Sequence, residues 1–143
     1  MDRVVLRVKV SEGAKPPRYA TEGASGLDLE ANRTKVIPPG SWKLIPTGLF
    51  FEVPKGFELQ IRSRSGLASK GVTVMNQPGT VDSDYRGELL VILHNNTPHP
   101  WRVNRGDRIA QAVLSPVARA LVVGVQELSE TARGMKGLGS TGC

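Results

Sequence analysis

Asp82 and Asp84 stand two residues apart within the run Asn76-Gln77-Pro78-Gly79-Thr80-Val81-Asp82-Ser83-Asp84-Tyr85-Arg86-Gly87-Glu88, which also carries one of only two tyrosines in the chain. On an extended segment residues two apart share a face, so one of the two carboxylates could hold a water as general base. Solvated acids at a hairpin tip would give the same pattern. A second site of possible chemistry is Arg62-Ser63-Arg64-Ser65-Gly66-Leu67-Ala68, where a strand runs into a short helix. Unpaired N–H groups at a helix start, set among arginines and hydroxyls, make an anion site; an ordinary capped turn with surface arginines reads alike.

The tail carries Gly137-Leu138-Gly139-Ser140-Thr141-Gly142, a literal G-x-G-x-x-G. A dinucleotide fold needs a strand before it, a helix after it and an acid ~20 residues on, and one residue remains. What is left is a glycine-rich segment with free N–H groups, two hydroxyls and the cations Arg133 and Lys136, suited to covering phosphates or to lying in solvent. Gln111 interrupts an apolar run after the turn Asn104-Arg105-Gly106-Asp107, and Asp28 sits between Leu27 and Leu29 on the opposite strand face.

These residues need a frame, and the frame reads as β. Val4, Leu6, Val8 and Val10 alternate, as do Phe57, Leu59 and Ile61 against Glu58, Gln60 and Arg62. Further short runs lie at Trp42–Ile45, Leu49–Val53, Leu89–His94, Ile109–Leu114 and Leu121–Val125, separated by turn residues such as Pro38-Pro39-Gly40, Pro54-Lys55-Gly56 and Asn95-Asn96-Thr97-Pro98. Such spacing predicts a sandwich or barrel of mainly antiparallel strands. One short helix is expected over Leu67–Lys70, with Ser63 or Ser65 as N-cap and Gly71 as stop. Residues 129–143, rich in small residues and without an apolar period, read as a mobile arm.

The length of 143 residues fits a single domain spanning 1–143. Sixteen glycines and ten prolines exceed the usual ~12% together, while 39% of residues are apolar and 22% charged, which excludes disorder and disfavours a helix bundle. No run approaches the ~18 apolar residues of a membrane span, and the alternating N-terminus is unlike a signal peptide, so a soluble cytoplasmic protein without a membrane partner is expected. One cysteine and two histidines leave no basis for a disulfide, a cysteine cluster or a three-imidazole zinc site. A net charge of +6 suits a polyanion, either nucleic acid or a phosphorylated small molecule.

Taken in order, the segments resemble the five motifs of the trimeric dUTPase family: A-x-G-x-D-L-x-A at 24–31, R-S-G-L-A at 64–68, N-x-P-G-T-V-D-x-D-Y-R-G at 76–87, G-D-R-I-A-Q at 106–111 and R-G-x-x-G-x-G-S-T-G at 133–142. The resemblance implies a jelly-roll-like, all-β antiparallel domain with one short helix and a flexible C-terminal arm. It also implies a homotrimer with active sites shared between subunits, hydrolysing dUTP to dUMP and pyrophosphate. By that resemblance a hairpin over 76–90 reads uracil through backbone groups near Gly79, Thr80, Val81 and Leu90 and the Asn76 side chain. Tyr85 lies under the deoxyribose, and Asp82 holds the water that attacks the α-phosphorus. Arg64, Ser65, Gly66 and Gln111 bind phosphate oxygens. Mg²⁺ arrives on the substrate triphosphate with no dedicated protein ligand, and Asp28 touches it at most through water. The tail closes over the site with Arg133, Ser140 and Thr141 at the γ-phosphate.

The chain departs from the family at Leu138, where an aromatic usually stacks on uracil, and at Lys136, where glycine is usual. Leucine covers a base by dispersion but forfeits stacking worth ~1–3 kcal/mol. Three other readings fit less of the chain. A basic β domain binding single-stranded nucleic acid would need surface aromatics, and only seven are present; nucleic acid is therefore not the expected partner. A dCTP deaminase of the same superfamily is longer, carries another serine-rich motif and would release ammonia. A non-catalytic domain binding a protein partner would show no turnover.

Overall fold

The computed structural model describes residues 3–142. Eleven strands form three antiparallel sheets. The four-stranded sheet contains β1 (Arg7–Val10), β5 (Trp42–Glu52), β9 (Glu88–Asn95) and β7 (Val72–Val74), in that order. The five-stranded sheet runs β2 (Arg18–Tyr19), β3 (Leu27–Glu30), β11 (Arg108–Pro116), β6 (Phe57–Arg62) and β8 (Gly79–Val81). A small ribbon joins β4 (Lys35–Ile37) to β10 (Trp101–Val103).

Alternation explains the layers. In β3, Leu27 and Leu29 turn inward while Asp28 and Glu30 face out; in β9, Leu89, Val91, Leu93 and Asn95 are buried and Leu90, Ile92 and His94 are not. Inward residues of all three sheets, among them Ile37, Ile45, Leu59, Leu93 and Ile109, meet in one core. Of its two buried polar residues, Thr47 and Asn95, Asn95 donates Nδ2 to the carbonyls of Ile37 (2.9 Å) and His99 (2.8 Å) and accepts Thr97 N–H (3.0 Å), so its burial leaves nothing unpaired. The architecture is the expected jelly-roll-like β fold with one short helix.

Several local expectations change. The runs Trp42–Ile45 and Leu49–Val53 belong largely to one strand, β5, continuous through Pro46 with a register shift before Phe50. Gly48 there has φ +71°, a conformation that favours glycine, and donates its N–H to Glu88 Oε2 (3.0 Å). The helix, α1 (Ser65–Ala68), starts two residues earlier than expected. Neither Ser63 nor Ser65 caps it; Arg64 occupies that position without a side-chain cap, and the helix closes at Ser69 rather than at the expected Gly71, which follows two residues later at φ +91°. Ser63 Oγ instead accepts Val74 N–H (2.8 Å). Leu121–Val125 forms no strand: the segment is unpaired and exposed. Arm-like chain therefore begins after Val117, whose N–H donates to Gly56 (2.8 Å); the hydrogen bonds of residues 118–142 fall within the segment itself. Cys143 lies outside the described residues.

Candidate active site

β11 places Gln111 opposite Asp28 of β3 on one side and Arg62 of β6 on the other. The β3–β11 register slips between Arg108 and Ala110. Arg64 Nη1 donates to the Arg108 carbonyl (3.2 Å). Asp28 lies between two guanidiniums, 3.9 Å from Arg64 Nε and 3.6 Å from Arg108 Nη1. Gln111 Nε2 donates to the Ser63 carbonyl (3.0 Å), and Ser63 N–H donates to Gln77 Oε1 (3.0 Å). Ser63 thus ties β11, the end of β6 and the 74–77 loop into one knot.

The result is a cationic, hydrogen-bonded ledge at the Arg62 end of β6. Beside it the first N–H groups of α1, at Ser65 and Gly66, lie outside the helical ladder. A Cβ on Gly66 would meet nothing within 4 Å, so the missing side chain leaves open approach to the backbone. Gly26 differs: a Cβ there would stand 2.5 Å from Gln111 Oε1, so this glycine is needed for Gln111 to lie where it does.

Residues 76–90 do not form a self-paired hairpin. β8 pairs with β6 in the five-stranded sheet and β9 with β5 and β7 in the other. Asn76 lies against Gly79, its Nδ2 3.4 Å from a Cβ built there. Thr80 is exposed, Val81 is buried, and Leu90 faces out from β9. Nor do Asp82 and Asp84 share the face of an extended strand: Asp82–Tyr85 is a turn closed by Tyr85 N–H to the Asp82 carbonyl (3.2 Å). Tyr85 Oη donates to the Glu88 carbonyl (2.8 Å), and a Cβ on Gly87 would clash with that hydroxyl. The turn borders a cleft of about 620 Å³ that Lys55, Phe57, Thr80, Arg86 and Arg119 also line.

Asp82 and the ledge occupy opposite ends of β6. Val81 pairs with Leu59 and Gly79 with Ile61, so Asp82 follows at the Glu58 level, four residues from Arg62 and roughly 13 Å away at ~3.3 Å per residue. Arg64 lies beyond Arg62. Arg133, Leu138, Ser140 and Thr141 are exposed on the arm, where Arg133 Nε donates to the Lys136 carbonyl (2.8 Å). One protomer therefore unites Asp28, Arg64, Ser65, Gly66 and Gln111, and separately Asp82 and Tyr85. It joins neither group to the arm residues.

The dUTPase family profile matches residues 12–142. The chain belongs to the dUTPase family. It is 50% identical to the deoxyuridine 5′-triphosphate nucleotidohydrolase of Rhizobium rhizogenes, over 96% of this chain and 92% of that protein. It is 51% identical to the same enzyme of Nautilia profundicola, over 94% and 95%. Among solved structures, the dUTPase of Staphylococcus bacteriophage 80alpha with dUPNHPP has a TM-score of 0.90 at 27% identity, covering 97% of this chain and 99% of that one. The protein is thus a dUTP diphosphatase, and the deaminase alternative gives way to hydrolysis of dUTP. Among the described residues no helix is long and apolar enough to cross a membrane.

Sequence reasoning gave no role to Arg86, Arg108 or Gln77 and took Ser63 for a helix cap. Both arginines lie inside the quoted motifs, so the signal was present. Arg86 meets two turn carbonyls and the distant Glu52, and Arg108 meets the distant Asp28, contacts that a one-dimensional pattern does not reveal.

Proposed function

We propose that the protein hydrolyses dUTP at sites assembled between three copies of the chain, with the ledge of one protomer facing the Asp82 turn of the next. The observation that carries this is the β6–β8 register. Within one protomer the Asp82 turn and the Arg64 ledge stand at opposite ends of β6, an arrangement that favours bringing the two together from different copies of the chain. Two exposed apolar features support self-association: Trp42, Leu44 and Leu90 on the outer face of the four-stranded sheet, and the unpaired stretch Leu121–Val125.

In this arrangement the backbone at Gly79, Thr80, Val81 and Leu90, with the Asn76 amide, reads the uracil edge; a cytosine would leave buried groups unpaired. The Tyr85 ring supports the deoxyribose, its hydroxyl already engaged by Glu88. Arg64, Ser65, Gly66 and Gln111 bind phosphate oxygens from a ledge whose bonds are made beforehand, which lowers the cost of reorganisation. Asp82 accepts a proton from the water that attacks the α-phosphorus, and pyrophosphate leaves. Arg133, Ser140 and Thr141 of an arm close over the γ-phosphate and exclude water, while Leu138 covers the base by dispersion.

Mg²⁺ binds through few protein carboxylates and mostly through phosphates and water. Asp28, one carboxylate beside the phosphate ledge, fits that requirement and would hold the ion through a water. Among the described residues no group of three potential ligands stands together. When bound, the ion neutralises charge on the departing pyrophosphate.

Mixing two inactive variants tests the shared site. Asp82→Asn and Arg64→Ala homotrimers are each expected to be nearly inactive. Refolded together in equal amounts, about three quarters of the trimers are mixed, and each mixed ring has one intact site, giving roughly a quarter of wild-type activity. Recovery near zero would show that both residues serve one site within one chain.

A further inference from the structure

The turn Asp82–Tyr85 carries the proposed general base, yet it belongs to no strand, and Asp82, Asp84 and Tyr85 are all exposed. One backbone hydrogen bond closes it. A turn held so lightly samples many conformations in water, and general-base catalysis requires the carboxylate to stay within hydrogen-bond reach of one water.

The neighbouring arginine supplies what the backbone lacks. Arg86 Nη1 donates to the Ser83 carbonyl at 2.7 Å and to the Tyr85 carbonyl at 3.2 Å, two acceptors of the turn itself. Its Nε faces Glu52 Oε1 at 3.8 Å, and the other oxygen of Glu52 accepts from Arg7 Nη1 at 3.3 Å. Glu52 ends β5 and pairs with Arg7 of β1. The guanidinium therefore links the turn carbonyls to the rim of the four-stranded sheet. Its ion-pair partner is Glu52 rather than Asp82 or Asp84, so charge neutralisation of the acids does not account for its placement.

We infer that Arg86 is a positioning residue for dUTP hydrolysis, fixing the Asp82–Tyr85 turn so that the Asp82 carboxylate is held ready for the water. The inference rests on Asp82 being the base. Arginine is suited to this because its planar fork presents N–H groups in two directions at once, toward the carbonyls and toward Glu52; lysine offers one point charge.

A double-mutant cycle decides. Arg86→Ala and Arg86→Lys are made in wild-type and Asp82→Asn enzymes. Single-turnover rates are measured with dUTP, affinity with the non-hydrolysable imido analogue of dUTP, and stability by thermal unfolding. In the wild type, Arg86→Ala is expected to lower the rate about tenfold, the order of one lost charge-assisted hydrogen bond. Analogue affinity is expected to change less than about threefold. Arg86→Lys loses a smaller part of the rate and keeps the fold if the alanine variant does not. In the Asp82→Asn background both substitutions lose their effect on rate, because the group they position is gone.

The same rate loss in both backgrounds, or a fall in stability with the rate unchanged, overturns the inference while leaving the Asp82 assignment intact. An Asp82→Asn enzyme that keeps its rate overturns the assignment itself, and this inference with it.

Discussion

The ledge and the arm present the same chemistry on opposite scaffolds. Both offer an arginine, a serine hydroxyl and a glycine N–H: Arg64, Ser65 and Gly66 in one, Arg133, Ser140 and Gly139 in the other. On the ledge, Arg64 bonds to a carbonyl and faces Asp28, and Gln111 is held by Ser63. On the arm, Arg133 bonds only three residues away, and Leu138 and Met135 are fully exposed. Groups fixed in advance bind phosphate with little ordering cost, whereas arm residues must lose backbone freedom of ~1–2 kcal/mol each on closing. On the proposed function the ledge serves recognition and the arm serves gating.

Removing the arm tests this contrast most severely. A chain ending at Ala132 is expected to lose about 10²- to 10³-fold in kcat, the order seen when preorganised charge stabilisation is removed. Because, among the described residues, 118–142 make no hydrogen bond to the body, its unfolding temperature is expected to stay within the scatter of the measurement. A large fall in thermal stability would show that the arm supports the fold.

The opposite insult strikes the ledge. Gly26→Ala puts a methyl against Gln111 Oε1, and turning that amide away breaks its bond to Ser63. About tenfold weaker binding of the imido analogue is expected, together with about 1–3 kcal/mol of lost stability, measured by titration and denaturant unfolding. Loss of affinity with unchanged stability would show a ledge less tightly interlocked than its hydrogen bonds imply.

The smallest effect sharpens the comparison. Leu138→Phe restores a stacking surface to the arm, and dUTP binding is expected to tighten about fivefold, the low end of the ~1–3 kcal/mol that base stacking contributes. The gain should appear mainly as slower dissociation with kcat unchanged. No change, or a loss of turnover, would mean that the arm packs over the base along another path.

How much was legible follows from how local each feature is. The outward Asp28 follows from period-2 alternation, a short-range rule. The family motifs point to the candidate site residues because their order is written in the chain. The split of residues 76–90 between two sheets was not legible, since β8 and β9 look the same whichever strand they pair with. Pro46 and Gly48 disguised one strand as two. Leu121–Val125 carries a strand composition with no partner among the described residues, and Ser63 looked like a cap because its true acceptor role depends on Val74 across the fold.

That exposed apolar stretch has a consequence for the life of the chain before assembly. Leu121, Val122, Val123 and Val125 form a β-prone, uncharged run that emerges late in synthesis, after the body has the residues it needs to fold. Until it is covered it is the segment most apt to pair with the wrong neighbour. Arg119 before it and Glu127 after it act as charged gatekeepers that discourage such stacking. On the proposed trimer, newly made subunits are most vulnerable to aggregation between release from the ribosome and capture by their own kind, and slow assembly at low abundance lengthens that exposure.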